Sequence, residues 1–140
     1  MKFAETTKTM KIKVDFTGKK QVTAHFKDFE IATDQPVAVG GEGVAPTPFE
    51  LFLSSMATCA GIFVKEFCDS RSLPTENVYL EQEIDFNREI KQINKIIITI
   101  FIPNSFPEKY DQAIINSAAL CLVKRHLTSE ILFDIKILRH

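Results

Sequence analysis

Thr47-Pro48-Phe49-Glu50, followed by the apolar run Leu51–Val64, constrains this chain more than any other stretch. An N-cap threonine, a proline at the first helical position and a glutamate at the third make a capping box, which satisfies the orphan N–H donors of a helix start. The pattern predicts a helix from here to about Cys68–Arg71, roughly 33 Å long. Its middle is apolar nearly all round, as in a helix buried on most sides. A chain of 140 residues has little material to wrap such a helix, so the pattern asks for a second subunit. The apolar run is shorter than the ~20 residues that span a bilayer, and Lys65 and Glu66 follow it directly. Cys59 lies in its middle, among Ser54, Ser55, Ala57, Ala60 and Gly61.

On either side the period changes to two. Met10, Ile12, Val14 and Phe16 alternate with Lys11, Lys13 and Asp15, predicting a half-buried strand. Thr17-Gly18-Lys19 turns the chain, Val22, Ala24 and Phe26 repeat the alternation, and a short strand around Phe29–Ile31 completes an antiparallel meander. From Asp34 to Thr47 three glycines (Gly40, Gly41, Gly43) and two prolines (Pro36, Pro46) mark a loop long enough to be expected to pack on something or line a site. It is not read as a phosphate loop, since no strand directly precedes it and no Lys-Ser/Thr follows.

After Pro74, Val78–Phe86 alternates, while Ile96–Ile102 is apolar on both faces, as a strand central in its sheet would be. Ser105-Phe106-Pro107-Glu108 is a second capping box, opening a helix through Tyr110, Ile114, Ile115, Ala118 and Leu122. Ile131, Phe133, Ile135 and Ile137 are expected to close the chain as a strand. The expected architecture is α+β, in the order βββ-α-ββ-αα-β, as one domain over residues 1–140.

Composition is that of an ordinary soluble domain, 45% hydrophobic and 25% charged. A net charge of −1 argues against nucleic-acid or membrane-surface partners. Met1 to Met10 is polar and lysine-bearing, without the apolar core of a secretory signal. Three cysteines in such a chain do not make a disulfide framework, so a cytoplasmic protein with reduced thiols is expected.

Those thiols are the candidate chemistry. Cys59 reads either as a small buried hydrophobe or as a thiolate nucleophile. A helix interior does not acidify a thiol, so the nucleophile reading needs a cationic or hydrogen-bonding neighbour from elsewhere. Cys121 has Lys124 and Arg125 at i+3 and i+4, which would favour a thiolate if the helix continues and are otherwise a solvated helix end. His126 beside them reads as a surface or capping residue. Cys68, near the end of the Cys59 helix and on its other side, is not expected to share the site. Glu50 as a base for Cys59 is about 13.5 Å away on the opposite face, and the capping box already explains it. His25, His126 and His140 form no metal-ligand or triad spacing, so neither metal nor cofactor is expected.

Gly40-Gly41-Glu42-Gly43-Val44-Ala45-Pro46-Thr47-Pro48-Phe49-Glu50-Leu51-Phe52-Leu53-Ser54-Ser55-Met56-Ala57-Thr58-Cys59 resembles the hallmark segment of the OsmC/Ohr family, the osmotically inducible and organic hydroperoxide resistance proteins. Ala118-Ala119-Leu120-Cys121 resembles its second cysteine motif, and the element order agrees from about residue 10 to 138. The resemblance implies an intertwined homodimer, with two sheets around paired long central helices and active sites at the subunit interface. It also implies thiol peroxidase chemistry. Cys59 would attack the peroxide bond and become a sulfenic acid, Cys121 would resolve it as a disulfide, and a dithiol reductant would restore both.

Three features depart from the peroxidase branches. Their thiolate-stabilising arginine has no counterpart before Arg71, leaving Lys19, Lys20 or Lys27, none of which has arginine's planar fork. The glutamate that holds that arginine falls at Phe49, with Glu50 one step away, and Leu122 stands where proline usually follows the second cysteine. The resemblance is therefore to a divergent OsmC-like branch. A second reading follows, of a non-catalytic protein binding a small apolar or thiol-reactive ligand at the interface. With 12 phenylalanines and no tryptophan in the chain, Phe49, Phe52 and Phe63 would line that pocket beside Glu50.

Overall fold

The computed structural model describes residues 8–127 and 131–139. The chain forms two compact units, Met1–Phe52 and Leu53–His140, divided inside its one long helix.

In the first unit, β1 (Lys13–Phe16), β2 (Val22–Phe26) and β3 (Phe29–Thr33) make the predicted antiparallel meander, in sheet order β1-β2-β3. Val14 opposes Ala24 and Phe16 opposes Val22, and Phe26 pairs with Phe29 across a tight turn that holds Lys27 at φ 54°. The alternation sets the register, yet β1 is not half-buried as expected. Val14 is 51% and Phe16 87% exposed. The buried positions are Thr23 and Thr33. The Thr23 hydroxyl pairs with Thr17 Oγ1 at 2.9 Å, and Thr33 Oγ1 donates to the Val22 carbonyl at 2.6 Å.

The glycine-rich loop folds around one carboxylate. Asp34 is fully buried, and its oxygens accept the backbone N–H of Gln35 at 2.7 Å and those of Glu42 and Val44 at 3.2 Å. Burial pushes its pKa up, but the N–H donors of Gln35, Val44, Glu42 and Gly43 together outweigh that and hold it below the ordinary carboxylate value. The chain passes through a one-turn 3-10 helix, Val37–Val39, and leaves it at Gly40 with φ 94°. At Gly41 the backbone runs against Gln35, and any Cβ would overlap the Gln35 carbonyl.

Helix α1 (Pro48–Ser70) begins where the capping box predicts. Glu50 N–H donates to Thr47 Oγ1 at 3.2 Å, and Thr47 N–H donates to the Glu50 carboxylate at 2.8 Å. It is not buried on most sides, however. One stripe, Met56, Ala60, Val64, Phe67 and Cys68, is buried, while Ile62 is 51% exposed. Beyond the bare apolar run, α1 is long and apolar enough to pass as a membrane span, with a mean hydropathy of 1.4. Its stripe is instead packed into a protein core of Val64, Phe67, Cys68, Phe106 and Ile114.

In the second unit, β4 (Tyr79–Asn87) and β5 (Gln92–Phe101) form an antiparallel hairpin with a register shift at Asp85/Phe86. β5 was expected to be central, but β4 is its one strand partner among the described residues. Its outward residues Ile97 and Phe101 are accordingly 41% and 36% exposed. The second capping box does not form: a 3-10 turn, Glu108–Tyr110, leads into α2 (Asp111–Ala118) with no side-chain cap. Nor does one helix run through Leu122. The chain breaks after α2 and restarts as α3 (Leu122–Leu127).

The expected closing strand is absent among the described residues. Residues 131–139 form none, and Leu132, Phe133, Ile135 and Ile137 are 82–93% exposed. A strand exists only through a partner's ladder of hydrogen bonds, which an alternating pattern alone cannot supply.

Candidate active site

Two cysteines far apart in sequence meet between α1 and the α2–α3 break. Cys59 sits half-buried on α1, next to Ala60 of the buried stripe. Cys121 occupies the break itself and is 3% exposed. The break is tightened by Ala119 N–H donating to the Ile115 carbonyl and Leu120 N–H donating to that of Ser117. Cys121 then caps α3. Its sulfur accepts Lys124 N–H at 3.4 Å, and its carbonyl accepts Arg125 N–H at 3.1 Å.

The two thiols differ in acidity. The backbone N–H of Val123, and after it the Cys121 thiol and the N–H of Leu122, together outweigh burial and hold the Cys59 pKa below the ordinary thiol value. Cys121 goes the other way. Burial pushes it up, the Lys124 N–H opposes, and both the hydrogen bond to Cys59 and the charge there push it up further. Cys59 is therefore the more acidic of the two thiols and Cys121 the less, and the Cys121 thiol lies 3.9 Å from the Met56 carbonyl. The sequence assigned the thiolate-promoting neighbours, Lys124 and Arg125, to Cys121. In the structure Lys124 acts on that sulfur through its backbone N–H, and Cys121 is the less acidic partner.

The neighbour that Cys59 required is the first turn of α3. No lysine is among the groups acting on it, and Lys27 lies over its neighbour Phe26, 5.3 Å from the ring centroid. Nothing in Ala118-Ala119-Leu120-Cys121 announces a helix break, so these donors had no signature in sequence. Cys68 stays apart from the pair. It is fully buried in the core cluster, its thiol pushed up by burial and then by Asp69. His126 Nδ1 pairs with the Leu122 carbonyl at 2.8 Å in the last turn of α3, in keeping with a capping role.

The other sequence candidates lie elsewhere. Glu50 serves the capping box, and Phe49 and Phe52 stack on each other, 5.9 Å between centroids. Phe63 is half-buried, and its carbonyl accepts the Ser117 hydroxyl at 3.1 Å. None of the four lines the cavity that does open beside Cys121. That cavity, about 580 Å³, is walled by Met56 and Ala60 of α1, by Ile96, Ile98 and Ile100 of β5, and by Cys121. Lys124 is its one charged lining residue, and the size falls within the range of small-molecule sites.

Residues 40–136 match the sequence model of a family described as OsmC-like protein. No curated protein matches the chain. Among solved structures, a Psychrobacter arcticus protein described as an osmotic stress induced and detoxification response protein superposes with a TM-score of 0.71 at 21% identity, covering 88% of this chain and 91% of its own. An OsmC-like protein from Mycoplasma pneumoniae gives 0.67 at 15% identity, over 86% and 87% of the two chains. An organic hydroperoxide resistance protein from Elizabethkingia anophelis gives 0.60 at 16% identity, over 89% and 91%. Identities this low speak to the fold alone. The sequence match covers most of the chain, and with it the conclusion is direct: this protein belongs to the OsmC-like family.

Proposed function

We propose that this protein is a cysteine-based reductase of organic hydroperoxides, soluble and cytoplasmic, working as a homodimer. The observation that carries the reading is the meeting of two thiols, Cys59 on α1 and Cys121 at the α2–α3 break, where it sits against the Met56 carbonyl one turn before Cys59; Cys59 is the more acidic of the two. Membership of a family that includes organic hydroperoxide resistance proteins agrees with it.

In the proposed cycle the Cys59 thiolate attacks the peroxide. A sulfur–oxygen bond forms, the O–O bond breaks, and the departing alkoxide takes a proton to leave as an alcohol. The Cys121 S–H is a suitable proton source, and giving up its proton leaves Cys121 as the thiolate. The Cys121 thiolate then attacks the sulfenic sulfur, the S–O bond breaks, the departing hydroxide takes a proton from solvent and leaves as water, and a Cys59–Cys121 disulfide remains. A dithiol reductant returns two electrons and two protons. The exposed apolar side chains of β1 and of residues 131–139 support a second copy as their cover.

The test is intact mass and non-reducing peptide mapping after one equivalent of an organic hydroperoxide. A loss of two hydrogens mapping to Cys59–Cys121, and sulfenic acid trapped on Cys59 in Cys121→Ser, are expected. Unchanged peroxide consumption by Cys59→Ser would reject the reading, as a solution mass of one chain would reject the dimer. The apolar cavity beside Cys121 favours a second reading, a protein that binds a small apolar ligand without reacting. It would show co-purified ligand in native mass spectra and inert thiols.

A further inference from the structure

Two hydrogen bonds tie the α2 end of the break to α1, and they bracket Cys59. The Cys121 thiol faces the Met56 carbonyl at 3.9 Å, and the Ser117 hydroxyl donates to the Phe63 carbonyl at 3.1 Å. Met56, Cys59 and Phe63 recur at intervals of three and four, so they share one face of α1. Ser117 and Cys121 are likewise four apart. Cys121 is thus fastened about one turn before Cys59 and Ser117 one turn after it. The two fastenings are unequal. A thiol at 3.9 Å is a weak donor, and closing a disulfide removes its proton altogether. The Ser117 hydroxyl has no part in the chemistry and keeps its bond throughout.

We propose that Ser117 is a positioning residue, which holds α2 in register on α1 so that the Cys121 sulfur stays within reach of Cys59 while Cys59 is oxidised. The inference rests on the reading of Cys59 and Cys121 as a reacting pair. Apolar packing does not supply the register by itself. Ile114 is buried against Val64, but Ala113 and Ala118 beside it are small, and Ile115 is 54% exposed. Such contacts oppose separation of the helices more than sliding, whereas a hydrogen bond is directional and fixes the register.

The experiment compares wild type, S117A and S117T, following two steps separately after rapid mixing with an organic hydroperoxide: sulfenic acid formation on Cys59 and closure of the disulfide. Closure by oxidised glutathione, which needs no peroxide activity, is measured alongside. For S117A the expected result is unchanged sulfenic acid formation with closure slowed about fivefold, the kinetic equivalent of one neutral hydrogen bond. S117T, which keeps the hydroxyl, restores closure. A purely structural role would lower the melting temperature and leave the ratio of the two steps alone, which overturns the proposal. So does equal closure in S117A and wild type. Should S117A not fold, S117T against S117V makes the same comparison at constant shape. A wild type that forms no sulfenic acid rejects the peroxidase reading, and the glutathione arm still decides the role of Ser117.

Discussion

Ile114 to alanine tests how far the apolar cluster, as distinct from the Ser117 hydrogen bond that sets the register, anchors α2. Ile114 is 2% exposed, on the α2 turn that precedes Ser117, and it clusters with Val64, Phe67, Cys68 and Phe106. Truncating a buried isoleucine to alanine costs about 2–5 kcal/mol, as lost transfer energy plus the cavity left behind. α2 is only eight residues long, between a 3-10 turn and the break, so it can settle partly into the space. That places the loss near the middle, at about 3 kcal/mol, or a melting temperature lower by about 10 °C for a chain of this size. The adjacent Ile115, 54% exposed, is the internal control, and its truncation should cost well under ~1 kcal/mol. Urea titrations at one fixed protomer concentration give both values, with unchanged slopes expected, since association would otherwise enter the difference. Equal losses at Ile114 and Ile115 would refute the reasoning, because the cluster would then not be what anchors α2.

Four further outcomes follow from the structure. Alkylation by iodoacetamide should label Cys59 at pH values below the ordinary thiol range, while Cys121 and Cys68 resist; peptide mapping across pH checks this order. The linkage has opposite signs: Cys59, lowered in the folded state, contributes stability above its unfolded pKa that is lost as pH falls through the folded one, whereas the raised thiols Cys121 and Cys68 stabilise below theirs and lose that contribution as pH rises. Cys68→Ser should cost about 1–3 kcal/mol, because it buries a hydroxyl among apolar side chains, and should leave Cys59–Cys121 closure intact. Gly41→Ala should loosen the loop around Asp34, since its Cβ overlaps backbone that cannot swing aside, and hydrogen exchange at the Glu42 and Val44 amides would report it as lost protection.

What was legible in the sequence was whatever is encoded within a few residues. The capping box placed the start of α1 because Thr47 and Glu50 satisfy each other locally, and period-two alternation placed β1, β2 and β4. What failed depended on partners. β1 and residues 131–139 carry the alternation of buried strands, but burial and strand pairing belong to a second surface that the pattern cannot contain. Asp34 illustrates the same limit from inside a loop. Nothing around it marks it as buried, yet backbone donors from four residues converge on its carboxylate, and their spacing appears only once the glycines have bent the chain.

The α2–α3 break shows why the backbone neighbours of Cys59, though not the two cysteines, escaped the sequence reading. Ala118 through Leu122 contains no glycine or proline, and local propensity would carry α2 straight on. In a continuous helix the N–H groups of Leu122 and Val123 would bond to carbonyls four residues back, and neither could reach a sulfur on α1. The break leaves both near enough to Cys59 to lower its pKa. It also moves Cys121 from a helix interior to the N-cap of α3, where its own sulfur accepts Lys124 N–H and its thiol can donate to Cys59. The chain thus gives up helical hydrogen bonds where donors near the break lower the pKa of a thiol. A structure that overrides local preference without an apparent packing reason is where a function is to be sought, and here the override and the reactive pair coincide.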